Sequence, residues 1–539
     1  MQDIYDVLVV GGGFSGAIAA IAAARCGART LLVEQYGFLG GMLTAAGVGP
    51  MMTFHAGETL IVRGIADEVI QRLRRKGLSP GHIFDTTGYT YTVTPFDAEG
   101  LKTELEEMAL EAGVELLYHT MLADVQVESG DIASVQLCGK AGLFRVRAKV
   151  YLDATGDADL SARAGVPFHI GSPSTGTPQA MTMMLRVNNV DVERTRAYIR
   201  AHDEEFPRLE HDTHKVDRAC RLSIGGFTRT TERAVAEGAL SFSRRDVLFF
   251  ETSNPGEVII NTSHLEGFDN LDPHSLTMAE IEGRRQANEL YRMFRKYIPG
   301  FEEARLLYTG PFVGVRSSRQ IVGLYTLSDD DVYACREFPD AIAFSAYPVD
   351  VHEAGNQGQN DASRRFASHA EENRYYWGKI RSLPYRCLVN AQVGNLLTVG
   401  RCTSVSYRAQ GAFRTAPIVG AIGHAGGLAA ALSSKAGIAP RDLDPNLLRE
   451  TLRADGAYLL RRKMVQRGLT GEAIDRALEE VPFSAQVEAA RALIEKKLRG
   501  DDRPDALRRA VQAAMRRGFP YDAVREAAQN LQEDVEWEE

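Results

Sequence analysis

The sequence predicts an α/β protein with a Rossmann-like domain, an inserted α+β domain and an all-helical C-terminal appendage. Three observations predict this fold class. A strand, a glycine-rich loop, a helix and a second strand follow one another within the first 34 residues. A later apolar strand ends in Ala154-Thr155-Gly156, and another ends in Gly400 before a long helix of small residues. The apolar strands should form a parallel sheet that is buried on both faces.

The first element is a βαβ unit around a G-x-G-x-x-G motif. Residues 6–10 form a strand, residues 11–16 (GGGFSG) the loop, residues 17–25 a helix and residues 29–33 the second strand. In this context the motif binds the pyrophosphate of a dinucleotide at the helix N-terminus. A glycine-rich turn that binds nothing is the alternative, but strand, helix and following acidic residue are all present.

The residues of this unit have distinct predicted roles. Gly11 permits a tight turn, Gly13 lets the backbone approach the pyrophosphate, and Gly16 lets the helix pack closely on the strand. Glu34 follows the second strand, where its carboxylate can accept hydrogen bonds from an adenosine ribose. The same carboxylate would repel a 2′-phosphate, so NADP is disfavoured.

The rest of the N-terminal region adds two helices, at 64–76 and 97–112, and a meander of short strands between 113 and 148. A loop at 37–42 (GFLGGM) has glycines that let the backbone lie against a flat ligand, although an ordinary turn is equally compatible. Residues 149–153 return as a strand. Gly156 follows, where it would let the backbone pass close to a bound dinucleotide, and Asp157 either contacts that ligand or caps the next turn.

The second half contains the remaining elements of the sheet. Residues 396–400 are predicted to form a strand. Pro417 is predicted to open a helix at 418–433, which stops before Gly437. Glycines along this helix leave one face bare for close packing. In the inserted region, residues 181–187 predict a buried strand in which Arg186 needs a partner.

Together these motifs resemble those of the FAD-dependent oxidoreductase family, among the glutathione-reductase-like flavoproteins with two dinucleotide-binding domains. The similarity covers about residues 5–457, and its motifs lie at residues 28–34, 37–42, 153–159, 314–319, 321–327, 347–352, 384–388 and 395–402. The resemblance implies an FAD-binding domain at 1–164 and 391–457 and a substrate domain at 165–390. The remaining residues, 458–539, are predicted to form a helical C-terminal domain.

The resemblance implies FAD as the cofactor. It places the N-terminus of the helix after Pro417 at the flavin N1–C2=O edge, where the helix dipole would stabilise the anion of reduced flavin. Arg401 stands where many flavoproteins of this class have an Asp that bonds to the ribityl chain, so that contact is in question. The predicted cofactor-binding residues are Gly11, Gly13, Phe14, Ser15, Gly16, Glu34, Gln35, Gly40, Gly41, Met42, Ala154, Gly156, Asp157, Gly400, Arg401, Gln410 and Gly411.

The tail contains two segments, 460–481 and 510–531, that align at an offset of fifty residues. Each is predicted to be a helix, a glycine stop and a second helix. This pattern weakly resembles the three-helix repeats of RecX-type recombination regulators. The tail has 15 Lys+Arg against 16 Asp+Glu, so it lacks the basic surplus of a DNA-binding domain. Packing or oligomerisation is therefore favoured as its role.

The length of the chain predicts two to four domains, and its scattered cysteines suit a reducing cytoplasm. The chain has 539 residues, 44% of them hydrophobic, and a formal charge of −9, which gives no reason to expect nucleic acid or an anionic membrane as partner. We expect neither a signal peptide nor a stretch of about twenty apolar residues that could span a membrane. The six cysteines show no C-x-x-C and no metal-ligand spacing, so no metal site is expected.

Two groups of residues are candidates for the chemistry beside the cofactor. Asp350 and His352 would share one face of an extended segment, and His352 is the first choice for a base or acid near neutral pH. A purely structural histidine is the alternative, and His55 is a weaker candidate. The second group could hold a carboxylate or stabilise the flavin anion, or form structural ion pairs; its members are Arg316, Arg319, Tyr407, Arg408 and Gln410.

The sequence therefore predicts an FAD-dependent oxidoreductase that moves a hydride between a small organic substrate and flavin N5, by dehydrogenation of CH–OH or CH–NH. A second G-x-G-x-x-G motif in strand–helix context is not seen. A dehydrogenase or oxidase is thus favoured over a pyridine-nucleotide reductase, with an unknown electron acceptor. Two alternatives stay open: a reductase of an activated C=C bond, and a flavin-binding redox regulator whose tail docks a partner. Homo-oligomerisation also stays open.

Overall fold

The computed structural model describes residues 4–352 and 369–453, together with ten separate positions in the tail. The chain divides into two compact units, Met1–Leu452 and Arg453–Glu539. The first unit contains all of the strands described below. The finer boundaries that the sequence suggests between FAD-binding and substrate domains stay predictions.

The second unit is helical at every described position. Four of these positions are buried apolar residues: Ile494, Ala510, Val524 and Ala527. The predicted repeat at 460–481 lies outside the described residues, and 510–531 is described only in part. An α/β fold with a helical C-terminal region is confirmed.

The elements of the first unit alternate between strands and helices along the chain. Its strands are β1 (Tyr5–Val10), β2 (Thr30–Val33), β3 (His55–Ala56), β4 (Thr59–Leu60), β5 (Ile83–Phe84), β6 (Thr92–Val93), β7 (Glu115–Leu117), β8 (Met121–Glu128), β9 (Asp131–Gly139), β10 (Gly142–Val146), β11 (Ala148–Asp153), β12 (Phe168–Ile170), β13 (Leu185–Asn188), β14 (Ser223–Gly226), β15 (Val247–Glu251), β16 (Val258–Ile260), β17 (Arg305–Thr309), β18 (Arg319–Ile321), β19 (Ala341–Ser345), β20 (Arg381–Pro384) and β21 (Leu396–Thr398). Its helices are α1 (Phe14–Arg25), α2 (Ile65–Arg75), α3 (Ala98–Glu111), α4 (Asp159–Arg163), α5 (Val192–Ala201), α6 (Thr228–Ala236), α7 (Pro273–Tyr297), α8 (Asp329–Tyr333), α9 (His369–Tyr376), α10 (Tyr407–Phe413) and α11 (Ala416–Ala436).

A five-stranded parallel sheet in the order β21-β11-β1-β2-β7 forms the centre of the unit. Residues 7–10 of β1 and all of β2 are buried, as expected for strands covered on both faces. β1 lies between β2 and β11, so the loop after β1 emerges at the middle of the sheet. The carboxyl ends of β1, β11 and β21 consequently meet at one edge, where ligands of such sheets bind.

The predicted meander is the three-stranded antiparallel sheet β10-β9-β8. The inserted region contains a separate five-stranded antiparallel sheet, β14-β15-β16-β13-β17, with its own buried core. Its strand β13 is shorter than the predicted 181–187, because Met181 and Thr182 bridge to Leu265 and Gly314 instead of continuing the sheet. The buried Arg186 donates to Glu257 at 3.0 Å.

Helices α1 and α11 pack against each other on one face of the central sheet. A Cβ atom on Gly423 would lie 2.1 Å from the Ser15 carbonyl oxygen, and one on Gly427 would lie 2.1 Å from the Ala19 oxygen. The two backbones are therefore closer than any side chain at these positions would allow. α11 begins one residue before Pro417 and ends at Gly437, which has a φ of +66°.

α11 is also long and apolar enough to span a membrane by length and composition, with a mean hydropathy of 1.4 over its best window. The expectation that no stretch reaches this threshold was wrong. The window is 83% buried inside the protein. Its apolarity follows from its position, since it packs on the parallel sheet and on α1.

Because α1 and α11 pack closely, replacing a glycine at their contact with alanine should destabilise the protein, although alanine has the higher helix propensity. Gly→Ala inside a helix ordinarily stabilises by about 1 kcal/mol. We expect Gly423→Ala instead to lower the free energy of unfolding by about 2 kcal/mol, because its methyl group must displace the Ser15 backbone. Chemical denaturation of the first unit measures the change. The matched control is Ala421→Gly on the half-buried face, which should lose about 1 kcal/mol from propensity alone; stabilisation by Gly423→Ala would contradict the packing.

Candidate functional site

A cavity of about 690 Å³ opens at the carboxyl ends of the central strands and continues to the antiparallel sheet of the inserted region. Most residues predicted to bind the cofactor line it, as do two predicted catalytic residues. These lining residues are Gly11, Gly13, Phe14, Ser15, Glu34, Gln35, Gly40, Gly41, Met42, Ala154, Gly156, Asp157, Gly400, Arg401, Arg316 and His352. Gly16, Tyr407, Gln410 and Gly411 are not among the described lining residues.

The glycine loop has the geometry that its sequence predicts. Gly11 has a φ of +101°, which suits the tight turn after β1. A Cβ on Gly16 would lie 1.9 Å from the Gly11 oxygen, so this glycine is needed for close packing within the loop. At Gly13 the nearest protein atom to such a Cβ is the Gly41 Cα at 3.9 Å. Gly13 therefore leaves an open backbone surface that faces the cavity.

Glu34 lies at the end of β2 and borders the same loop. Its carboxylate accepts hydrogen bonds from the backbone N–H groups of Gly12 at 2.6 Å and Tyr36 at 2.9 Å. Burial raises the pKa of Glu34, and these backbone donors oppose that rise. The carboxylate is thus held in one orientation at the cavity wall, and its contact with a ribose stays a prediction.

Two buried hydroxyl groups at helix N-termini test whether the cavity suits a dinucleotide. Ser15 Oγ lies in the first turn of α1, and Thr415 Oγ1 belongs to the residue that precedes α11. Both residues line the cavity, and within the described ranges neither oxygen has a hydrogen-bond partner. Buried hydroxyl groups ordinarily have partners. Phosphate and carbonyl oxygens at two helix N-termini would satisfy them, so the residues fit FAD.

Arg401 belongs to a polar network that also borders the cavity. Its Nη2 donates to Asp157 Oδ1 at 2.6 Å, and the guanidinium packs against Gly156. Asn270 and Ser318 donate to the same carboxylate oxygen, at 2.9 and 2.5 Å. Asp157 therefore ties the loop after β11 to the inserted region, in addition to bordering the cavity.

The candidate catalytic group lies where the cavity meets the inserted region. His352 Nε2 is 3.3 Å from Asp350 Oδ1, and Arg414 donates to Asp350 Oδ2 at 2.6 Å. Burial lowers the pKa of His352, and nearby Arg316 lowers it further, so the imidazole is neutral at neutral pH. His352 and the Arg414 and Arg316 guanidiniums keep the pKa of Asp350 below its usual range, against the effect of burial.

Gln179 and Gln410 form hydrogen bonds that hold the chain segments carrying this catalytic group. Gln179 Nε2 donates to Gln410 Oε1 at 2.8 Å, and Gln410 Nε2 donates to the Arg316 carbonyl at 2.9 Å. The backbone N–H of His352 donates to Gln179 Oε1 at 3.2 Å. Gln410 therefore positions the segments that carry Arg316 and His352, and it does not itself face the cavity.

The remaining candidates lie away from the cavity lining. Tyr407 is buried in the main hydrophobic core, and Gly411 packs against the Asp350 backbone, because α10 turns these residues toward the protein interior. Arg319 donates to the Asp157 carbonyl and to Asp159, which is a structural ion pair. His55 is hydrogen-bonded to Thr92 at 3.0 Å and borders a separate small cavity.

Sequence reasoning missed Arg414 and Gln179. Arg414 contacts Asp350, 64 residues away, and Gln179 contacts Gln410, 231 residues away. Neither belongs to a motif that indicates a site. The one available indication was the position of Arg414 directly before the α11 N-terminus, which borders the predicted flavin site.

The chain is similar to known families and to several known proteins. A family model described as FAD dependent oxidoreductase matches residues 6–452, and one described as RecX, third three-helix domain, matches residues 484–528. A thiamine thiazole synthase from Aeropyrum pernix is 35% identical over 164 residues, which are 28% of this chain and 54% of the relative. A digeranylgeranylglycerophospholipid reductase from Methanopyrus kandleri is 30% identical over 209 residues, 38% of this chain and 50% of the relative.

Among solved structures, a geranylgeranyl bacteriochlorophyll reductase-like protein from Thermoplasma acidophilum is similar with a TM-score of 0.43. It is 15% identical, and the match covers 94% of this chain and 96% of that one. The chain spans about half the length of the curated relatives it matches. The weak resemblance of the tail to RecX repeats is confirmed by the second family model.

Proposed function

Because the chain belongs to the FAD-dependent oxidoreductase family, we propose that this enzyme dehydrogenates a CH–OH or CH–NH group of a small organic substrate. The observation that supports this reaction is the Asp350–His352 pair, with its 3.3 Å contact, in the cavity that also contains the glycine loop. Dehydrogenation of such a group releases one proton together with the hydride. A base beside the substrate carbon is therefore required.

His352 is the proposed base. Its imidazole is neutral at neutral pH, and its Nε2 faces Asp350, so an Nε2–H donated to that carboxylate leaves the Nδ1 lone pair as the proton acceptor. His352 Nδ1 is buried and has no partner among the described residues. Asp350 orients the ring and would stabilise the imidazolium that forms. Bound FAD, held by the loop after β1 and by Glu34, supplies the hydride acceptor at its N5 atom.

A second candidate is reduction of an activated C=C bond. The relative from Methanopyrus kandleri is named a reductase, and His352 could deliver a proton to carbon only after its Nδ1 has taken one up from solvent. We place it second because the match covers half of that relative and the cavity shows no feature that selects an alkene.

The absorbance spectrum of the purified protein, followed by release and identification of the chromophore, is the first test. We expect FAD at about one equivalent. Anaerobic mixing with a panel of alcohols, hydroxy acids and amines should then bleach the flavin with at least one of them. The chemically reduced enzyme mixed with unsaturated acids tests the second candidate, by reoxidation. A protein that binds FAD but is bleached by none of the panel contradicts the proposed dehydrogenation.

A further inference from the structure

Arg316 lies in the cavity beside the proposed base, and its backbone is fixed. The Arg316 carbonyl accepts from Gln410, and the neighbouring Ser317 hydroxyl accepts from the Gln179 backbone at 2.8 Å. Its guanidinium Nη1 donates to the carbonyl of Ala180 at 2.5 Å. The Ala180 N–H in turn donates to the His352 carbonyl at 3.1 Å. The backbone of Ala180 therefore links the Arg316 guanidinium to the backbone of His352.

Arg316 is hydrogen-bonded to no carboxylate in the described part of the chain, and the one nearby carboxylate, Asp350, is shared with Arg414. The one hydrogen bond of the Arg316 guanidinium there is to a carbonyl oxygen. Arg414 donates to Oδ2 of Asp350, and His352 Nε2 lies 3.3 Å from its Oδ1. Burial lowers the pKa of Arg316 and the proximity of the Arg414 cation adds to this effect, whereas the Asp350 carboxylate opposes it. Two guanidiniums beside one carboxylate leave an excess positive charge, which is unfavourable in a site that is partly shielded from water.

A substrate carboxylate would supply the missing charge. Guanidinium groups bind carboxylates through two parallel hydrogen bonds, and the four remaining N–H donors of Arg316 suit that arrangement. A neutral or apolar substrate would instead leave the excess positive charge of the two guanidiniums unbalanced. The pairing of an anion site with a base also restricts where the reacting carbon can be, since both groups belong to one small region of the cavity.

We propose that Arg316 binds the carboxylate of the substrate, and that the substrate is a 2-hydroxy or 2-amino carboxylate oxidised at the carbon next to that carboxylate. The inference rests on the proposed function. In the reaction, the substrate O–H or N–H bond breaks and its proton goes to His352. The adjacent C–H bond breaks and its electron pair leaves as hydride to oxidised FAD. A C=O or C=N bond forms, giving a 2-oxo or 2-imino acid and reduced flavin.

Inert ligands test the anion site without turnover. Acetate, propionate and benzoate are titrated into the FAD-loaded enzyme, and the perturbation of the flavin absorbance reports binding. Acetamide, propionamide and benzamide are the neutral partners of these probes. We expect the acids to bind at least 10-fold more tightly than the amides. Equal affinity of acids and amides for the wild-type enzyme would overturn the proposal whatever the variants show.

The variants are Arg316→Met and Arg316→Lys, with Arg295→Met on the exposed face of α7 as the matched control. Arg316→Met should weaken acid binding about 100-fold, change amide binding little and keep the flavin content. Arg316→Lys should recover part of the loss, and Arg295→Met should behave as wild type. Unchanged acid binding in Arg316→Met would overturn the inference.

The panel of the previous subsection separates the two proposals. If only neutral alcohols or amines bleach the flavin, the dehydrogenation is supported and the carboxylate site is wrong. If acids bind through Arg316 but no member of the panel bleaches the flavin, the anion site is supported and the proposed reaction is wrong.

Discussion

Replacing His352 with Gln should slow anaerobic reduction of the bound flavin by substrate about 100- to 10,000-fold, with an unchanged flavin content. Glutamine is similar in length and can still donate to Asp350, so the Asp350–Arg414 pair should be preserved. It has no basic nitrogen, so the substrate proton must go to water. Stopped-flow absorbance at the flavin band measures the rate.

The lowered pKa of His352 also predicts how kcat/KM of the wild-type enzyme depends on pH. The pKa of His352 lies well below its ordinary value of about 6.5 because of burial and the neighbouring Arg316. The neutral, proton-accepting form therefore persists as pH falls through 6.5. We expect kcat/KM of the wild-type enzyme to show no acid limb near pH 6.5, and to fall only at markedly lower pH. A limb near 6.5 that disappears in His352→Gln would contradict the buried environment of the imidazole.

The control for this experiment is His55→Gln. His55 is also partly buried, and burial lowers its pKa to about 4. It is bonded to Thr92 and borders a different, small cavity. Because His55 lies outside the large cavity, replacing this partly buried histidine should leave the rate of flavin reduction unchanged. If both variants slow the reaction equally, His352 acts through the fold and its assignment as the base is wrong.

The part of the site around the glycine loop could be predicted because its determinants are local. The loop after β1, the strand β2 and Glu34 lie within 34 residues of chain, and their backbone conformations follow from glycine positions and apolar runs. The same holds for Gly156 after β11 and Gly400 after β21. Parallel strands place their carboxyl ends at one edge of the sheet, so locally encoded loops converge there.

The part of the site around His352 could be predicted only incompletely. The Asp350–His352 contact follows from a spacing of two in an extended segment, and the structure contains it. Whether Gln410 faces the cavity or the core depends on the rotation of α10 about its axis. That rotation is set by Asp350, Gln179 and the core residues packed around it, which are distant in sequence. Arg414 was missed for the same reason.

The length of α11 illustrates a different limit. Apolar and small residues along 21 positions are compatible with a membrane span, with a core helix or with a helix against a cofactor. The glycines decide between these in the folded protein, because Gly423 and Gly427 meet the α1 backbone directly. A helix with that contact requires α1 as its partner, and this requirement cannot be recognised from the apolar character of α11 alone.

Replacing Gly13 with Asp should abolish FAD binding, with a loss of affinity of at least about 1,000-fold, while the protein stays folded. The apo-protein tolerates the side chain for two reasons. Gly13 precedes α1 with a φ of −59° and a ψ of 174°, which any residue adopts, and Asp is a favourable N-cap. The nearest atom to its Cβ would be 3.9 Å away. The carboxylate would instead occupy the helix N-terminus and repel a pyrophosphate.

Two neighbouring substitutions make the prediction specific. Gly13→Ala adds a methyl group without charge and should weaken FAD binding less than Gly13→Asp does. Gly16→Ala should instead reduce the free energy of unfolding, because its Cβ would lie 1.9 Å from the Gly11 oxygen. Flavin content and chemical denaturation of each apo-protein separate the two effects. Gly13→Asp that purifies with a full equivalent of FAD would show that the pyrophosphate does not bind at this loop, since charge repulsion at the α1 N-terminus cannot be relieved without moving the ligand.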